Sequence, residues 1–310
     1  MKLIQLVFLL PCLGWGCQNR ASDESVAPVS NTNGRYLFQL EHQQLAVDPA
    51  IGGRITSLTL DGEEFLTGPE VNDFNWGSTF WPSPQRVWNW PPSAELDNQP
   101  YDVMSTNETL KMRSQRDPQT GLMVTKEFAA AKQPERFILR YTLTNDAEAT
   151  QSVAPWEVTR VKTEGLTFFP KGDGAMRGGL LPLTTLTENG VAWFDYDAAG
   201  LPVTGNRQLY TDGASGWMAH IDGRMILIKK FQDIPLSENA PEEGEIELFA
   251  SDVKPGKSYV EIEHQGAYTE LAPGDSLTWE VVWYLRRLPD SLEVTPGNNL
   301  LVDYAKSVIK

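Results

Sequence analysis

Between residues 35 and 285 the chain advances in short runs of alternating apolar and polar residues, each broken by turn residues. Alternation with period two is what a strand with one buried face requires, because successive side chains point to opposite faces. Residues 36–40, 45–47 and 56–60 open the series, and Asp61-Gly62 leads into 63–66 as a hairpin signal. Further runs fall at 109–114, 122–128, 136–144, 152–162, 191–196, 216–221, 225–231, 245–250, 258–264 and 276–285. Only residues 300–309 carry a helical pattern, and they are terminal. With no crossover helices, no repeat and no linker of domain-boundary quality, about fifteen strands predict one all-β, mostly antiparallel sandwich over residues 34–310 with a short C-terminal helix.

One stretch interrupts the pattern. Residues 72–92, NDFNWGSTFWPSPQRVWNWPP, hold four of the ten tryptophans (Trp76, Trp81, Trp88, Trp90) and four prolines. Prolines at that density donate no backbone hydrogen bonds and cannot continue a helix, so the segment is expected to be a rigid, irregular loop. Its rings lose little rotamer entropy on binding, and indole faces suit the C–H faces of sugars. Two readings stand side by side: a carbohydrate-binding surface, or a hydrophobic plug capping one end of the β-structure.

Residues 1–16 read as a secretory signal, with Lys2 as the charged start and an apolar run over 3–10. The run is too short to span a bilayer as a helix, and no later segment approaches that length. Both cysteines, Cys12 and Cys17, lie here, so no disulfide is expected in an exported chain. Gly16-Cys17 has the form of a lipoprotein signal end, although Gly14 stands where an aliphatic residue is usual and Leu13 lies one place further out. Cys17 is thus the expected lipidation site and membrane anchor, with Gln18 rather than aspartate favouring the outer membrane; simple secretion is the alternative. Residues 17–33 read as a flexible polar tether. Loss of residues 1–16 removes only Lys2, leaving 25 basic against 41 acidic side chains, a net charge of −16. That balance argues against nucleic acid and anionic lipid surfaces as partners.

Asp48-Pro49, then Gly52-Gly53-Arg54-Ile55 and Ser57-Leu58, resemble the opening of the galactose mutarotase-like (aldose 1-epimerase) superfamily, and Gly62-Glu63-Glu64-Phe65-Leu66 resembles the hairpin that follows. Phe80-Trp81-Pro82-Ser83-Pro84-Gln85 is similar to the proline-aromatic loop of the hexose-phosphate branch, and residues 139–145 to its "tL.N" strand. Residues 259–263 and 271–275 resemble the "vE…L.PGe" ending. The likeness covers roughly residues 35–288 and implies a β-supersandwich with a sugar cleft on one sheet.

The resemblance also implies a chemistry. Mutarotation needs a base for the anomeric hydroxyl proton and an acid for the ring oxygen. The family's base is a glutamate on the C-terminal strand, here Glu261 or Glu263, with Glu263 favoured. The family's two histidines have no counterpart: Trp81, Gln85, Arg86 and Trp88 stand near the first position, and Trp156 or Glu157 at the second. A buried Glu157 is the candidate replacement acid, although alternation lets only one of Trp156 and Glu157 face a cleft without a bulge. Arg54 matches a family arginine implied to reach the sugar. The three histidines, His42, His220 and His264, are too dispersed for a metal site, and no cofactor motif is present. Three functions therefore remain open: a carbohydrate-binding envelope lipoprotein, an active aldose 1-epimerase-like isomerase, and a structural envelope domain.

Overall fold

The computed structural model describes residues 25–31, 33–196, 201, 205–252 and 254–310. The signal segment 1–16 and Cys17 lie outside the described residues. Two antiparallel sheets face one another, of 11 and 12 strands among the described residues. The first is centred on Met225–Lys230, Ser276–Arg287, Glu135–Asn145 and Leu122–Lys132. Residues 122–130 alternate between buried and half-buried, the period of two expected of a strand. The second sheet runs through Gln208–Thr211, Ile246–Ala250, Val260–Gln265, Gln151–Val161, Ser78–Ser83 and Arg54–Leu60. Phe38, Leu58, Phe80, Phe137 and Trp283 are among the side chains packed between them. This is the β-supersandwich that the alternating runs and the resemblance led one to expect.

The helix Asn299–Val308 lies on the outer face of the 11-stranded sheet, where Leu301, Val302 and Ala305 bury against Trp193, Trp217 and Ile228. Asn298 caps it by accepting the Leu300 N–H at 3.0 Å. Among the described residues no helix is long and apolar enough to cross a membrane.

Two elements depart from the expectation. Ser25–Val26 pairs with Ala130 and Ala131, and Val29–Ser30 pairs with Tyr36 and Leu37, so ordered structure begins inside the stretch read as a tether. Each pair satisfies backbone groups at an open sheet edge, a gain that composition alone does not reveal. The second departure is larger. Ser78–Ser83, expected within an irregular loop, is a wholly buried strand between Gln151–Val161 and Arg54–Leu60. Pro82 is tolerated because the contact with Arg54–Leu60 is confined to Ile55–Ser78, after which no ladder needs its missing N–H. Its carbonyl accepts the Trp88 indole N–H instead, at 2.7 Å.

The candidate acid Glu157 is placed away from any cleft. Glu157 lies between the sheets with 0% exposure and accepts from Lys229 Nζ (2.9 Å), Tyr141 Oη (2.7 Å) and Trp283 Nε1 (3.0 Å). Those three donors come from the opposite sheet, so Glu157 staples the two layers together. A carboxylate so far from water is tolerated only with such partners.

Candidate functional site

On the outer face of the 12-stranded sheet, register brings a few residues from five strands into one surface. Trp81 stands opposite Trp156, Arg160 opposite Glu261, Glu263 opposite Glu247, and Glu247 opposite Tyr210. Alternation explains the selection: Ile246, Leu248 and Ile262 point into the core, so the glutamates between them point out. They border a cavity of about 440 Å³, within the usual range for small-molecule sites.

Tryptophans form one wall. Trp81 meets Trp156 edge to face at 5.3 Å between ring centroids and Trp90 at 5.9 Å. Trp90 is 50% exposed and stands at the mouth. Trp81 is clamped from its edge: its indole N–H donates to Asp97 Oδ1 at 2.7 Å, and the other oxygen of Asp97 accepts from Arg54 Nη2 at 3.2 Å. The Arg160 guanidinium lies 4.8 Å from the same ring. Gly52 permits this clamp. It sits at φ +73°, and a Cβ there would lie 1.9 Å from the Asp97 carbonyl oxygen.

Carboxylates form the floor. Glu263 Oε2 accepts from Trp156 Nε1 at 2.8 Å, and Glu261 Oε1 from Arg160 Nε at 2.7 Å. The Gln208 amide bridges Glu247 (2.8 Å) and Glu263 (3.3 Å), while Gln265 and the Gly244 N–H supply the other Glu247 oxygen, each at 2.9 Å. Burial, then the charges of Glu263 and Glu243, push the Glu247 carboxyl well above the usual range. Burial, then Glu261, does the same for Glu263. Two carboxyls facing each other across adjacent strands titrate as a pair, which lets one hold a proton while the other is ionised. No histidine is needed to place an acid beside a base.

The sequence candidates separate cleanly in space. Trp81, Gln85, Trp156, Glu261 and Glu263 line the cavity. Trp88 does not: it packs behind the wall, 6.0 Å from Trp81, as part of a small aromatic core. Arg86 is exposed and not among the lining residues. Arg54 is not at the cavity either. It is 4% exposed, donates to the carbonyls of Phe74 and Trp76 as well as to Asp97, and acts on the wall through Asp97. Burial lowers its pKa to about 10, so it stays cationic at neutral pH. Glu157, the candidate acid, faces the inter-sheet core, because adjacent residues of a regular strand point oppositely and Trp156 takes the cleft side. His264 is buried between Phe231 and Trp279, and His220 near Phe65 and Tyr196. Burial holds His264 well below its usual value and His220 at about 3, so both are neutral.

Lining residues that were not anticipated include Gln208, Tyr210, Glu243, Glu247 and Phe249, and Trp90 was expected only as part of the tryptophan stretch. A signal for Glu247 exists in the repeat of Glu-Ile-Glu at 245–247 and 261–263, which marks two strands with acidic outer faces. Among the described residues no three His, Cys, Asp or Glu side chains are grouped so as to hold a metal ion.

The two-sheet architecture is the galactose mutarotase-like fold. The chain belongs to the family described as domain of unknown function DUF4380, which it matches over residues 81–286. Among solved structures it is similar to a galactose mutarotase-like protein from Lactobacillus casei, with TM-score 0.55 and 11% identity over 82% of this chain and 100% of that one. A galactose mutarotase related enzyme from Lactobacillus acidophilus gives 0.54 and 9% over 84% and 99%. A TPR-domain containing protein from Parabacteroides distasonis gives 0.58 and 16%, covering 85% of this chain, which spans only 49% of that protein. No curated protein matches the chain.

Proposed function

We propose that the cavity is a carbohydrate site and that the protein is a sugar-binding lipoprotein of the cell envelope. The observation that carries the reading is the facing of an indole wall (Trp81, Trp90, Trp156) by a hydrogen-bonding floor (Glu247, Glu263, Gln208) in one cavity of about 440 Å³. Apolar sugar faces stack on indole, while hydroxyls require fixed acceptors and donors at their edges. Trp90 is the cleanest probe, since a half-exposed side chain is removed without opening the core. Trp90→Ala is expected to weaken sugar binding about thirtyfold, roughly 2 kcal/mol, with unchanged unfolding. A glycan array followed by calorimetry checks it, and unchanged affinity would remove the stacking role.

The envelope location rests on Gly16-Cys17. Radiolabelled palmitate is expected to enter the wild-type chain, and Cys17→Ser to move the protein out of the membrane fraction. An unlabelled wild type would leave simple secretion.

A second reading, an aldose 1-epimerase-like isomerase, is favoured by the facing Glu247–Glu263 pair. The ionised member takes the anomeric hydroxyl proton, the protonated member delivers one to the ring oxygen, and ring opening follows with the charges balanced. Rotation about the C1–C2 bond and the reverse transfers then close the other anomer. The mutarotase-like fold supports both readings.

A further inference from the structure

We propose, building on the carbohydrate reading, that the preferred ligand is an amino sugar whose protonated amine enters among Glu243, Glu247 and Glu263. The cavity border carries four glutamates and no lysine, arginine or histidine. Among the described residues Glu261 is the one of the four with an ion-pair partner within 4 Å, Arg160 at 2.7 Å. Glu247 and Glu263 accept from neutral donors, the Gln208 and Gln265 amides, the Trp156 indole and a backbone N–H, with Arg160 acting on Glu263 without a direct ion pair. Glu243 accepts the Gln85 backbone N–H at 2.9 Å. Nearby Arg177 is turned to the carbonyls of Glu242 and Glu243 and lies 4.6 Å from the Tyr210 ring.

Neutral donors orient these carboxyls without pairing them with a cation, so an entering ammonium favours their ionised forms and gains what a neutral ligand cannot. The side chains are not grouped to hold a metal ion. Indole and phenol faces instead attract an organic cation desolvated against them. For the same reason a sugar phosphate or uronic acid is disfavoured beside the four glutamates, although the loop around Phe80–Gln85 resembles the hexose-phosphate branch. An ammonium on a pyranose ring satisfies wall and floor together: ring C–H groups on the tryptophans, N–H donors on the glutamates.

The test uses the full chain in detergent and calorimetric titration with the β-1,4-linked disaccharides of glucosamine, N-acetylglucosamine and glucose, plus methylammonium. The amino disaccharide is expected to bind about tenfold or more tighter than the other two, and Glu247→Gln to shrink that preference to under about threefold. Equal binding of all three disaccharides would overturn the amine preference and leave the carbohydrate reading standing. Failure of all three would overturn both. Methylammonium binding as tight as the amino disaccharide would show a bare cation site and remove the sugar from the proposal.

Discussion

Lys229→Ala is expected to destabilise the protein by about 3–5 kcal/mol, the largest loss for any substitution considered. Lys229 Nζ lies 2.9 Å from Glu157 and 2.6 Å from Thr159 Oγ1, and 4.8 Å from the Trp283 ring. Both partners of the ion pair are sealed from water, at 1% and 0% side-chain exposure. Burial lowers the Lys229 pKa and Glu157 opposes that shift. Truncating the lysine leaves Glu157 with Tyr141 and Trp283 as its remaining donors and no cation to balance it. Equilibrium unfolding in urea reads the change directly as a lower midpoint at constant slope. The double variant Glu157→Leu/Lys229→Met replaces both charges by apolar groups of similar volume and is expected to recover most of the loss. A single variant within about 1 kcal/mol of wild type would show that water reaches the pair and that it does not staple the sheets.

This pair also shows where the sequence is legible and where it is not. Strands such as Leu122–Lys132 and Glu135–Asn145 bury one side of each alternating pair, and their runs could be read directly. In Gln151–Val161 nine consecutive residues are buried, because one face meets the core and the other the aromatic wall. Alternation then carries no information about which face is which, so Trp156 and Glu157 could not be assigned without the partner sheet. The tryptophan stretch misled for a related reason. Proline is a strong argument against a strand only where its N–H side has a neighbour, and Pro82 has lost that neighbour. Within the same stretch Trp88 supports the wall from behind while Trp81 and Trp90 border the cavity, so plug and surface are both present. Arg54 was recognised by its motif, yet it reaches the site only through Asp97, a contact 43 residues apart that no local pattern encodes. The acidic floor was half legible: Glu261 and Glu263 came through the resemblance. Glu243, Glu247 and Gln208 depend on which strands become neighbours.

Should the isomerase reading hold, Glu263→Gln is expected to slow anomer exchange by about 10² or more while sugar binding persists, since glutamine keeps the shape but takes no proton. Saturation transfer in the NMR spectrum, run across several aldoses and amino sugars, measures that rate at equilibrium. Glu247→Gln should slow it comparably, because either carboxyl of the pair can serve as acid only while the other serves as base. The pH profile supplies an independent sign. Both carboxyls are raised by burial and by neighbouring charge, so at low pH both are protonated and no base remains. At high pH both ionise and no acid remains. Exchange should therefore pass through a maximum, with both limbs displaced upward from the ordinary carboxylate range, and each single variant should abolish the bell shape rather than shift it. A wild-type protein that binds sugar but exchanges its anomers no faster than buffer would end the isomerase reading. The same pair would then be a binding floor, with its shared proton tuning which ligands it accepts.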